Sequence, residues 1–470
     1  MAENGVEQQK SAATPIPNAG AAPWLAQLGA AIAPCPVESD PEILASFARD
    51  QAPLAPVGCA AALVRARSAA DVIATLRFAH EHRIPVVTRG AGTGLAGGAN
   101  ATDGCILLSV LNLNRILSVD PATRSAVVEP GVLNGALAAA AAERGLFYAP
   151  DPASREISTI GGNIATNAGG ACCLKYGVTG DHVAALKVVL PDGTLLRTGG
   201  LSRKNVAGLD LTRLLVGSEG TLAVTVEATV RLLRAPRPAS TLLAFFDTLA
   251  SAAAAIAALV ESVDLSLLEI MDRVTLTAVE ELVHMELDTS AAALVIAQSD
   301  AADAPAAIAH AAKLCGEHGA RDVTRTDDVA EGRLLLAARR MALPALERLG
   351  TTLLDDVAVP QPAIAEMLRR ISQVAENSGL TIGTFGHAGD GNLHPTIVFQ
   401  EGQQDAALAA FDSIVKSAID LGGTISGEHG VGSLKRNYLG AMIGEDERAL
   451  LARIKAAFDP RGILNPGKAI

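Results

Sequence analysis

The chain has 470 residues, a formal net charge of −12 at pH 7 and a hydrophobic content of 49%. This length exceeds what one hydrophobic core can organise, so we expect two or three domains. The acidic balance, without a basic stripe interleaved with aromatic residues, argues against a nucleic-acid partner.

Residues 1–20 are small and polar, include two prolines and lack the apolar stretch of a signal peptide, so we predict a disordered tail. The longest apolar run, Leu249 to Val260, is mostly alanine and shorter than the ~18 residues that a membrane span needs. The six cysteines show no CxxC spacing, which indicates buried thiols rather than a disulfide framework or an iron–sulfur cluster. We therefore expect a cytoplasmic protein without a transmembrane segment.

From residue 41 onward the pattern alternates between helix and strand. Apolar residues at helical spacing predict a helix over Ala69 to His82, and residues 83–89 predict a short buried strand. The strand leads directly into a glycine-rich run at residues 90–99. Such a run exposes backbone N–H groups without side chains in the way, which suits a phosphate or a pyrophosphate.

Residues 92–97 also spell GxGxxG, and Asp120 follows a strand-like segment at residues 116–119. A nicotinamide-binding Rossmann domain is therefore an alternative, but its fingerprint needs a helix that begins inside the glycines. Residues 98–104 instead contain helix breakers and turn formers, followed by a strand-like segment at 105–110. The pattern favours a different cofactor loop.

Two further glycine-rich segments extend this prediction. A proline-containing turn at residues 150–154 precedes the run 159–170, and residues 217–222 lead into an alternating strand over 224–232. Each segment alone is compatible with an irregular loop. Long glycine-rich loops are usually functional or disordered, and the run 159–170 is too apolar to be disordered. Together they predict an extended ligand with a pyrophosphate and a ring system.

The second half contains a predicted β-hairpin, in which Asp390-Gly391 forms the turn between two apolar strands. With a two-residue turn, His387 would lie directly opposite His394, with Cβ atoms roughly 4.5–5.5 Å apart. Both imidazoles could then hold one metal ion, although two histidines that hydrogen-bond at a strand end give the same pattern. Downstream, Glu428 and His429 lie in another glycine frame. Two histidines and a glutamate with an open position are typical of a catalytic metal site.

The motifs together resemble the FAD-linked D-2-hydroxyacid dehydrogenases, a group of vanillyl-alcohol-oxidase-type flavoproteins that includes D-lactate dehydrogenases and the flavin subunit of glycolate oxidase. The resemblance covers roughly residues 40–470. It rests on these segments: TRGAGTG at 88–94, PDPAS at 150–154, TIGGN at 159–163, GSEGTL at 217–222, GHAGDGNLH at 386–394, GEHGVG at 427–432 and NPGK at 465–468.

The resemblance implies an α+β fold with a two-lobed FAD-binding domain over residues 40–235. A substrate domain with an antiparallel sheet covered by helices would follow over residues 236–440, and residues 441–470 would return to the FAD side. A charged, proline-containing linker near residues 234–238 marks the same boundary independently.

The resemblance also implies roles for individual residues. Zn²⁺, or alternatively Mn²⁺ or Fe²⁺, would be held by His387, His394 and Glu428. His429 would act as the base that removes the hydroxyl proton. The implied FAD-binding residues are Arg89, Gly90, Ala91, Gly92, Thr93, Gly94, Pro150, Asp151, Ser154, Thr159, Gly161, Gly162, Asn163, Thr166, Gly169, Glu219 and Asn465.

Arg339 and Arg340 by themselves read as two solvated helix arginines, but alignment with the family matches Arg339 to the substrate-binding arginine. Thr93 occupies a position where relatives often attach the flavin covalently through His, so we predict non-covalent FAD. Leu343 and Leu354 stand where relatives that act on 2-hydroxyglutarate have Thr and Lys. We therefore expect a smaller or apolar substrate, such as D-lactate or glycolate.

The predicted activity is oxidation of a small D-2-hydroxyacid to the 2-oxoacid, with electrons passing to an external acceptor. A quinone, a flavoprotein, an iron–sulfur subunit or a cytochrome would serve as the acceptor. The alternatives are a D-2-hydroxyglutarate dehydrogenase, a non-redox flavin enzyme like alkylglycerone-phosphate synthase, and a non-enzymatic metal-binding scaffold. The sequence leaves the oligomeric state open, a homodimer included.

Overall fold

The computed structural model of the protein describes residues 23–202 and 204–470. The tail predicted for residues 1–20 lies outside these described residues. The described chain folds into four β-sheets with helices packed on them. None of the helices in these two ranges has the length and apolar character of a membrane span.

The first half of the described chain alternates short strands with helices. Its elements are α1 (Leu25–Ala31), β1 (Val37–Glu38), α2 (Pro41–Phe47), β2 (Ala62–Arg65), α3 (Ala69–His82), β3 (Val86–Arg89), β4 (Ile106–Ser109), β5 (Ile116–Asp120), β6 (Ser125–Val128), α4 (Asn134–Ala142), β7 (Leu146–Phe147), α5 (Ile160–Thr166), α6 (Cys173–Tyr176), α7 (Thr179–His182), β8 (Val183–Val189), β9 (Leu195–Gly199), α8 (Leu211–Leu215), β10 (Val224–Arg231) and β11 (Leu233–Arg234).

The second half contains longer strands and helices. Its elements are β12 (Ser240–Phe246), α9 (Leu249–Ser262), β13 (Leu267–Asp272), α10 (Arg273–Val283), β14 (Ala293–Ser299), α11 (Ala304–Glu317), β15 (Ala320–Thr326), α12 (Val329–Arg340), α13 (Ala342–Glu347), β16 (Thr351–Leu354), β17 (Val357–Ala358), a 3₁₀ turn (Gln361–Ala363), α14 (Ile364–Ser378), β18 (Thr381–His387), β19 (Asn392–Phe399), α15 (Gln404–Asp420), a 3₁₀ turn (Arg436–Tyr438), α16 (Leu439–Ile443) and α17 (Glu445–Phe458).

The first sheet has the strand order β1-β2-β4-β3, in which β4 runs parallel to both β2 and β3. Helix α3 covers it and spans the predicted residues. A capping box between Ser68 and Asp71 begins this helix, and Arg83 ends it with a φ of 55°. Near the other terminus of the chain, Leu464 forms a parallel bridge with Val86 and packs into the same core.

The glycine-rich run after β3 contains no helix. From Arg89 to Ile106 the described chain forms bends and turns before β4 begins. The dinucleotide fingerprint at residues 92–97 therefore lacks the helix that a nicotinamide-binding Rossmann domain requires.

The second sheet is antiparallel, with the order β5-β6-β10-β8-β9. Strand β10 alternates buried and partly buried residues along its whole length, which confirms the alternating strand predicted from residue 224. The region 159–170 differs from prediction because part of it is the helix α5 rather than a glycine loop. The side chain of Thr159 caps this helix by accepting the Gly162 N–H at 3.3 Å.

The third principal sheet has eight strands, in the order β15-β12-β14-β13-β18-β19-β16 with β17 paired to β19. Its pairings are antiparallel. Apolar residues on one face pack under α9, α11, α14 and α15. Alternate residues on the opposite face form a second apolar cluster with α10, α12 and α13.

All six cysteines carry free thiols. The prediction of buried thiols is correct for Cys35, Cys105 and Cys315 and wrong for Cys59, which is exposed. Cys172 and Cys173 are partly exposed where α6 begins.

Candidate active site

The chemistry-bearing side chains share one face of the eight-stranded sheet. Phe385 pairs with His394, and His387 lies two residues beyond Phe385 on the same strand. Because side chains alternate between faces with a period of two, these three residues point the same way. Pairing of Ile270 with Gly386 brings Glu269 opposite His387, and pairing of Leu354 with Thr396 adds Leu354 to this face.

The hairpin of β18 and β19 confirms the predicted strand-turn-strand arrangement, but its predicted register is wrong. His387 pairs with Asn392, and His394 pairs with Phe385, so a four-residue connection replaces the two-residue turn. The two histidines are therefore diagonal neighbours, and their ring centroids still lie 5.1 Å apart. A shift of two residues preserves the face on which each side chain lies.

Contacts from distant segments explain this longer connection. The Gly389 N–H donates to the carbonyl of Leu268 at 3.0 Å, and the Gly391 carbonyl accepts the N–H of Val359 at 3.1 Å. Gly391 has a φ of 80°, and a Cβ at this position would lie 2.1 Å from the Val359 carbonyl oxygen. The local sequence contains none of this information.

Three imidazoles surround one carboxylate oxygen. The Nε2 atoms of His387, His394 and His429 lie 3.3, 3.4 and 3.5 Å from Oε1 of Glu428. Metal–ligand distances of about 2.0–2.2 Å in a tetrahedral site place neighbouring ligand atoms about 3.4 Å apart. The spacing of His387, His394 and Glu428 therefore fits a divalent ion, and the N/N/O donor set suits zinc.

The second nitrogen of each imidazole faces another buried carboxylate. His387 Nδ1 lies 2.6 Å from Oε1 of Glu269, and the Nδ1 atoms of His394 and His429 lie 3.7 and 3.8 Å from Asp356. Carboxylates in this position fix the tautomer and the orientation of metal-binding histidines. Only the contact of His387 with Glu269 is a hydrogen bond, and it leaves Nε2 of His387 free to act as a ligand. The Nδ1 atoms of His394 and His429 have no hydrogen-bond partner among the described residues.

Asp356, His394 and His429 form a second group with metal-ligand spacing. However, Oδ2 of Asp356 already accepts the N–H groups of Glu428 and His429 and the hydroxyl of Ser426, at 2.8–2.9 Å. A carboxylate oxygen with three donors is a poor metal ligand. Oδ1 of Asp356 has no hydrogen-bond partner among the described residues, so the second group remains a candidate through this atom. Oδ2 of Asp356 holds the Glu428–His429 turn.

Electrostatics favour the protonation states that a metal site needs at Glu428 and His394, whereas at His387 the carboxylates favour the protonated imidazole over the neutral form that binds a metal. Burial opposes the charge on Glu428, but the surrounding imidazoles outweigh burial and lower the pKa of this carboxyl to about 2. Burial and the neighbouring imidazoles hold the pKa of His394 well below its usual value despite Glu428. Burial also opposes the charge on His387, yet Glu269 and Glu428 keep its pKa well above the usual value.

Arg339 lies on the same face of the sheet. Its Nη2 atom is 2.7 Å from Oε2 of Glu269, and its guanidinium carbon is 4.7 Å from the centroid of the Phe385 ring. The interpretation as two solvated arginines is wrong for Arg339, which is buried, and correct for Arg340, which is exposed. Glu269 therefore joins the candidate substrate arginine to the candidate metal ligand His387.

The opposite wall of the site consists mostly of backbone and small residues. A cavity of about 770 Å³ runs from the imidazoles to the glycine-rich segments of the first half of the chain. Residues 91–94 line this cavity, and their N–H groups donate no backbone hydrogen bond among the described residues. Consecutive unpaired N–H groups bind anions such as a pyrophosphate, so this wall fits FAD.

The cavity brings most of the predicted site residues together. His387, His394, Glu428, His429 and Arg339 all line it. So do these predicted FAD-binding residues: Gly90, Ala91, Gly92, Thr93, Gly94, Pro150, Asp151, Ser154, Thr159, Gly161, Gly162, Asn163, Thr166, Glu219 and Asn465.

Two predicted FAD-binding residues do not line the cavity. Arg89 is buried beneath the glycine loop, where a Cβ on Gly92 would collide with its guanidinium group. Gly169 packs against Glu428, and a Cβ at this position would lie 2.6 Å from Oε2 of that carboxylate. Gly169 therefore allows the close approach of the candidate metal ligand.

Glu269 and Asp356 are absent from the sequence prediction of the site. Glu269 is the single acid in the middle of the apolar strand β13, and Asp356 follows Asp355 directly after the apolar strand β16. A charged residue within or directly beside a buried apolar strand requires a partner, and this signal could have identified both.

Comparison with known proteins identifies the family of the chain. Residues 60–199 match the model of an FAD binding domain, and residues 235–469 match the C-terminal domain of FAD linked oxidases. The chain belongs to the FAD-linked oxidase family. The family resemblance inferred from the motifs is thereby confirmed, and FAD is its expected cofactor.

Individual relatives cover most of the chain. Glycolate oxidase subunit GlcD of Bacillus subtilis (strain 168) is 42% identical over 414 residues, which are 87% of this chain and 88% of that protein. D-lactate dehydrogenase of Archaeoglobus fulgidus is 38% identical over 412 residues, covering 87% of this chain and 91% of that protein. Both names describe proteins that act on small hydroxyacids.

The fold also matches solved flavoproteins. The structure of p-cresol methylhydroxylase with substrate bound superposes with a TM-score of 0.77 over 92% of this chain and 93% of that one, at 16% identity. At this identity the match supports the fold alone. It confirms the predicted α+β fold of the vanillyl-alcohol-oxidase type.

Proposed function

We propose that this member of the family is an FAD-dependent dehydrogenase that oxidises a small D-2-hydroxyacid, D-lactate or glycolate, to the 2-oxoacid. The observation that carries the proposal is the convergence, in one cavity, of the His387–His394–Glu428 group, His429 and Arg339. Each of the three functions that such a reaction needs has a residue of suitable chemistry.

The first function is to anchor and orient the substrate. The guanidinium of Arg339 has a planar fork that binds a carboxylate through two hydrogen bonds. Its Nη2 is held by Glu269, whereas its buried Nε has no partner among the described residues. Arg339 can therefore bind the substrate carboxylate without leaving Glu269.

The second function is to remove the hydroxyl proton. The side chain of His429 is 22% exposed, whereas those of His387 and His394 are 11% and 3% exposed. His429 is thus the imidazole most open to a substrate, and Asp356 stabilises the charge that it gains as a base. A divalent ion on the other three ligands would supply Lewis-acid polarisation of the hydroxyl oxygen. Bound FAD would supply the hydride acceptor.

The third function is to select the rest of the substrate. Leu354 and Phe385 are buried beside Arg339, and Leu336 and Leu343 pack against them. A second carboxylate in this cluster would lose its hydration without gaining a partner, at a cost of several kcal/mol. The apolar surroundings favour a methyl group or a hydrogen atom on the carbinol carbon over the side chain of 2-hydroxyglutarate.

Anaerobic flavin bleaching across a panel of hydroxyacids tests the proposal. We expect D-lactate or glycolate to bleach the flavin faster than D-2-hydroxyglutarate, and L-lactate to be slower than D-lactate. Incubation with a chelator should slow the reaction, and added Zn²⁺ or Mn²⁺ should restore it. Preference for D-2-hydroxyglutarate would overturn the substrate assignment. Failure of all the acids to bleach the flavin would favour the non-redox alternative.

The electrons must then leave to an external acceptor. The Bacillus subtilis relative is named as a subunit, which supports transfer to a partner protein. Reoxidation of the reduced enzyme by oxygen, a quinone analogue and a one-electron dye distinguishes these acceptors. Reoxidation by oxygen as fast as by the dye would contradict a dedicated acceptor.

A further inference from the structure

The segment 426–432 carries both Glu428 and His429, and two buried carboxylates from different parts of the chain hold it. Asp356, beside the eight-stranded sheet, accepts the N–H groups of Glu428 and His429. Glu219, in the loop before β10, accepts the N–H groups of Val431 and Gly432, both at 2.8 Å. The segment therefore lies between the eight-stranded sheet and the opposite wall of the cavity, which the glycine-rich segments form and which we call the glycine-rich wall.

The backbone and the carboxylate of Glu219 are both held in place for this contact. It has a left-handed backbone with a φ of 50°, and Asn465 Nδ2 donates to its carbonyl at 2.6 Å. Each carboxylate oxygen of Glu219 accepts one backbone N–H, and a hydrogen bond to a charged carboxylate is stronger than one to a neutral acceptor. Glu219 is buried, which limits the access of water to its carboxylate.

Two glycines allow the segment to approach. Gly430 has a φ of 89°, and a Cβ at this position would lie 3.0 Å from the carboxyl carbon of Glu219. Gly432 has a φ of 54°, and a Cβ there would lie 2.0 Å from the Ala96 carbonyl oxygen. This carbonyl also accepts the N–H of Ser433 at 3.0 Å. Glycine at positions 430 and 432 therefore lets the segment 426–432 lie against Glu219 and Ala96.

We propose that Glu219 is a positioning residue that sets the distance between His429 and the flavin through the backbone of Val431 and Gly432. This inference rests on the function proposed above. Asp356 alone would keep Glu428 and His429 aligned with His387 and His394. Glu219 also aligns Glu428 and His429 with the glycine-rich wall, where the flavin would bind.

The variant Glu219→Gln tests this role. Glutamine keeps the size of the side chain but has one acceptor oxygen, and it turns an N–H group toward one of the backbone donors. We expect the anaerobic flavin-reduction rate to fall about 10- to 100-fold, because a misplacement of about 1 Å can cost this much. The rate is expressed per bound FAD, because Glu219 also lines the cavity predicted to hold FAD. The KM for the hydroxyacid should stay unchanged, and amide exchange at Val431 and Gly432 should accelerate.

Glu227→Gln is the matched control, since Glu227 pairs with Lys187 on β8, away from the cavity lining. It should change neither the reduction rate nor the exchange at residues 431–432. A Glu219→Gln enzyme that reduces its flavin at the wild-type rate would overturn the proposal. So would a rate that falls only in proportion to lost FAD.

Gly430→Ala provides an independent route to the same displacement, because its Cβ would push the segment away from Glu219. We expect Gly430→Ala to slow flavin reduction. The double variant Glu219→Gln/Gly430→Ala should reduce its flavin no more slowly than the slower of the two single variants, because the two substitutions disrupt the same contact. Fully additive losses would contradict a shared contact. If the wild-type enzyme reduces no flavin with any hydroxyacid, the proposed function fails. The amide-exchange comparison still decides whether Glu219 holds the segment.

Discussion

The two faces of the eight-stranded sheet differ sharply although the same strands form both. On β19, Ile397 points into an apolar core under four helices, whereas His394 points toward the cavity. On β13, Ile270 likewise packs in the apolar core, whereas Glu269 lines the cavity. Because side chains alternate with a period of two, each strand supplies stability on one face and chemistry on the other.

This contrast shows how the fold tolerates a buried ionic cluster. Burying a charge without a partner is strongly unfavourable, but Glu269 meets both Arg339 and His387, and Asp356 meets three donors. The apolar face supplies the packing that holds this network in place. Substitutions on the two faces should therefore separate activity from stability.

The largest effect is expected on the cavity face, from His429→Asn. Asparagine cannot take the hydroxyl proton, and loss of a general base typically slows a reaction about 10²- to 10⁴-fold. Stopped-flow flavin reduction should show this loss, while FAD content and the unfolding midpoint stay near those of the wild type. A rate within a few-fold of the wild type would remove His429 from the role of base.

On the opposite face, Ile397→Ala should lower the free energy of unfolding by about 2–5 kcal/mol, because it removes packed methyl groups and leaves a cavity. The reduction rate per bound flavin should remain that of the wild type. Denaturant unfolding and stopped-flow measurements on one preparation check both expectations. A large loss of rate with little loss of stability would contradict the separation of the two faces.

Arg339→Lys keeps the charge but removes the planar fork. We expect kcat/KM for D-lactate to fall about 10- to 100-fold, which corresponds to losing a charge-assisted hydrogen bond. Arg333→Lys, at an exposed position of the same helix α12, is the control and should have no effect. Equal effects of the two substitutions would assign Arg339 a structural role.

The smallest of these effects is expected from Glu269→Gln. The glutamine carbonyl can still accept the Nδ1–H of His387, so we expect metal affinity to fall only about tenfold, the lower end for an outer-shell partner. Competition with a chromophoric chelator measures this affinity. Unchanged metal affinity together with a raised KM would restrict Glu269 to holding Arg339.

The sequence predicted the glycine-rich wall better than the sheet face opposite it. Glycine runs such as residues 90–94 show directly where backbone must be exposed, and local sequence determines them. The face of the sheet depends on long-range pairing. The register of β18 with β19 follows from contacts of Gly389 and Gly391 with other strands, which no local pattern reveals.

Two other differences have the same origin. Residues 160–166 form a helix because Thr159 caps it, despite glycines that make an isolated helix unfavourable. The role of Glu269 becomes visible only when β13 pairs with β18 and brings the carboxylate against His387. The order of the motifs along the chain was enough to identify the family, because it combines information from nearly the whole chain and does not depend on the register of any one strand.

We propose that His387, His394 and Glu428 hold one divalent ion beside the flavin. Anomalous diffraction from crystals of the holoenzyme, recorded on both sides of the metal absorption edge, tests this most directly. We predict a single peak about 2.0–2.2 Å from the Nε2 atoms of both histidines and from the Glu428 carboxylate. A peak between Asp356 and the Nδ1 atoms of His394 and His429, or no peak in an enzyme that still reduces its flavin, would contradict it.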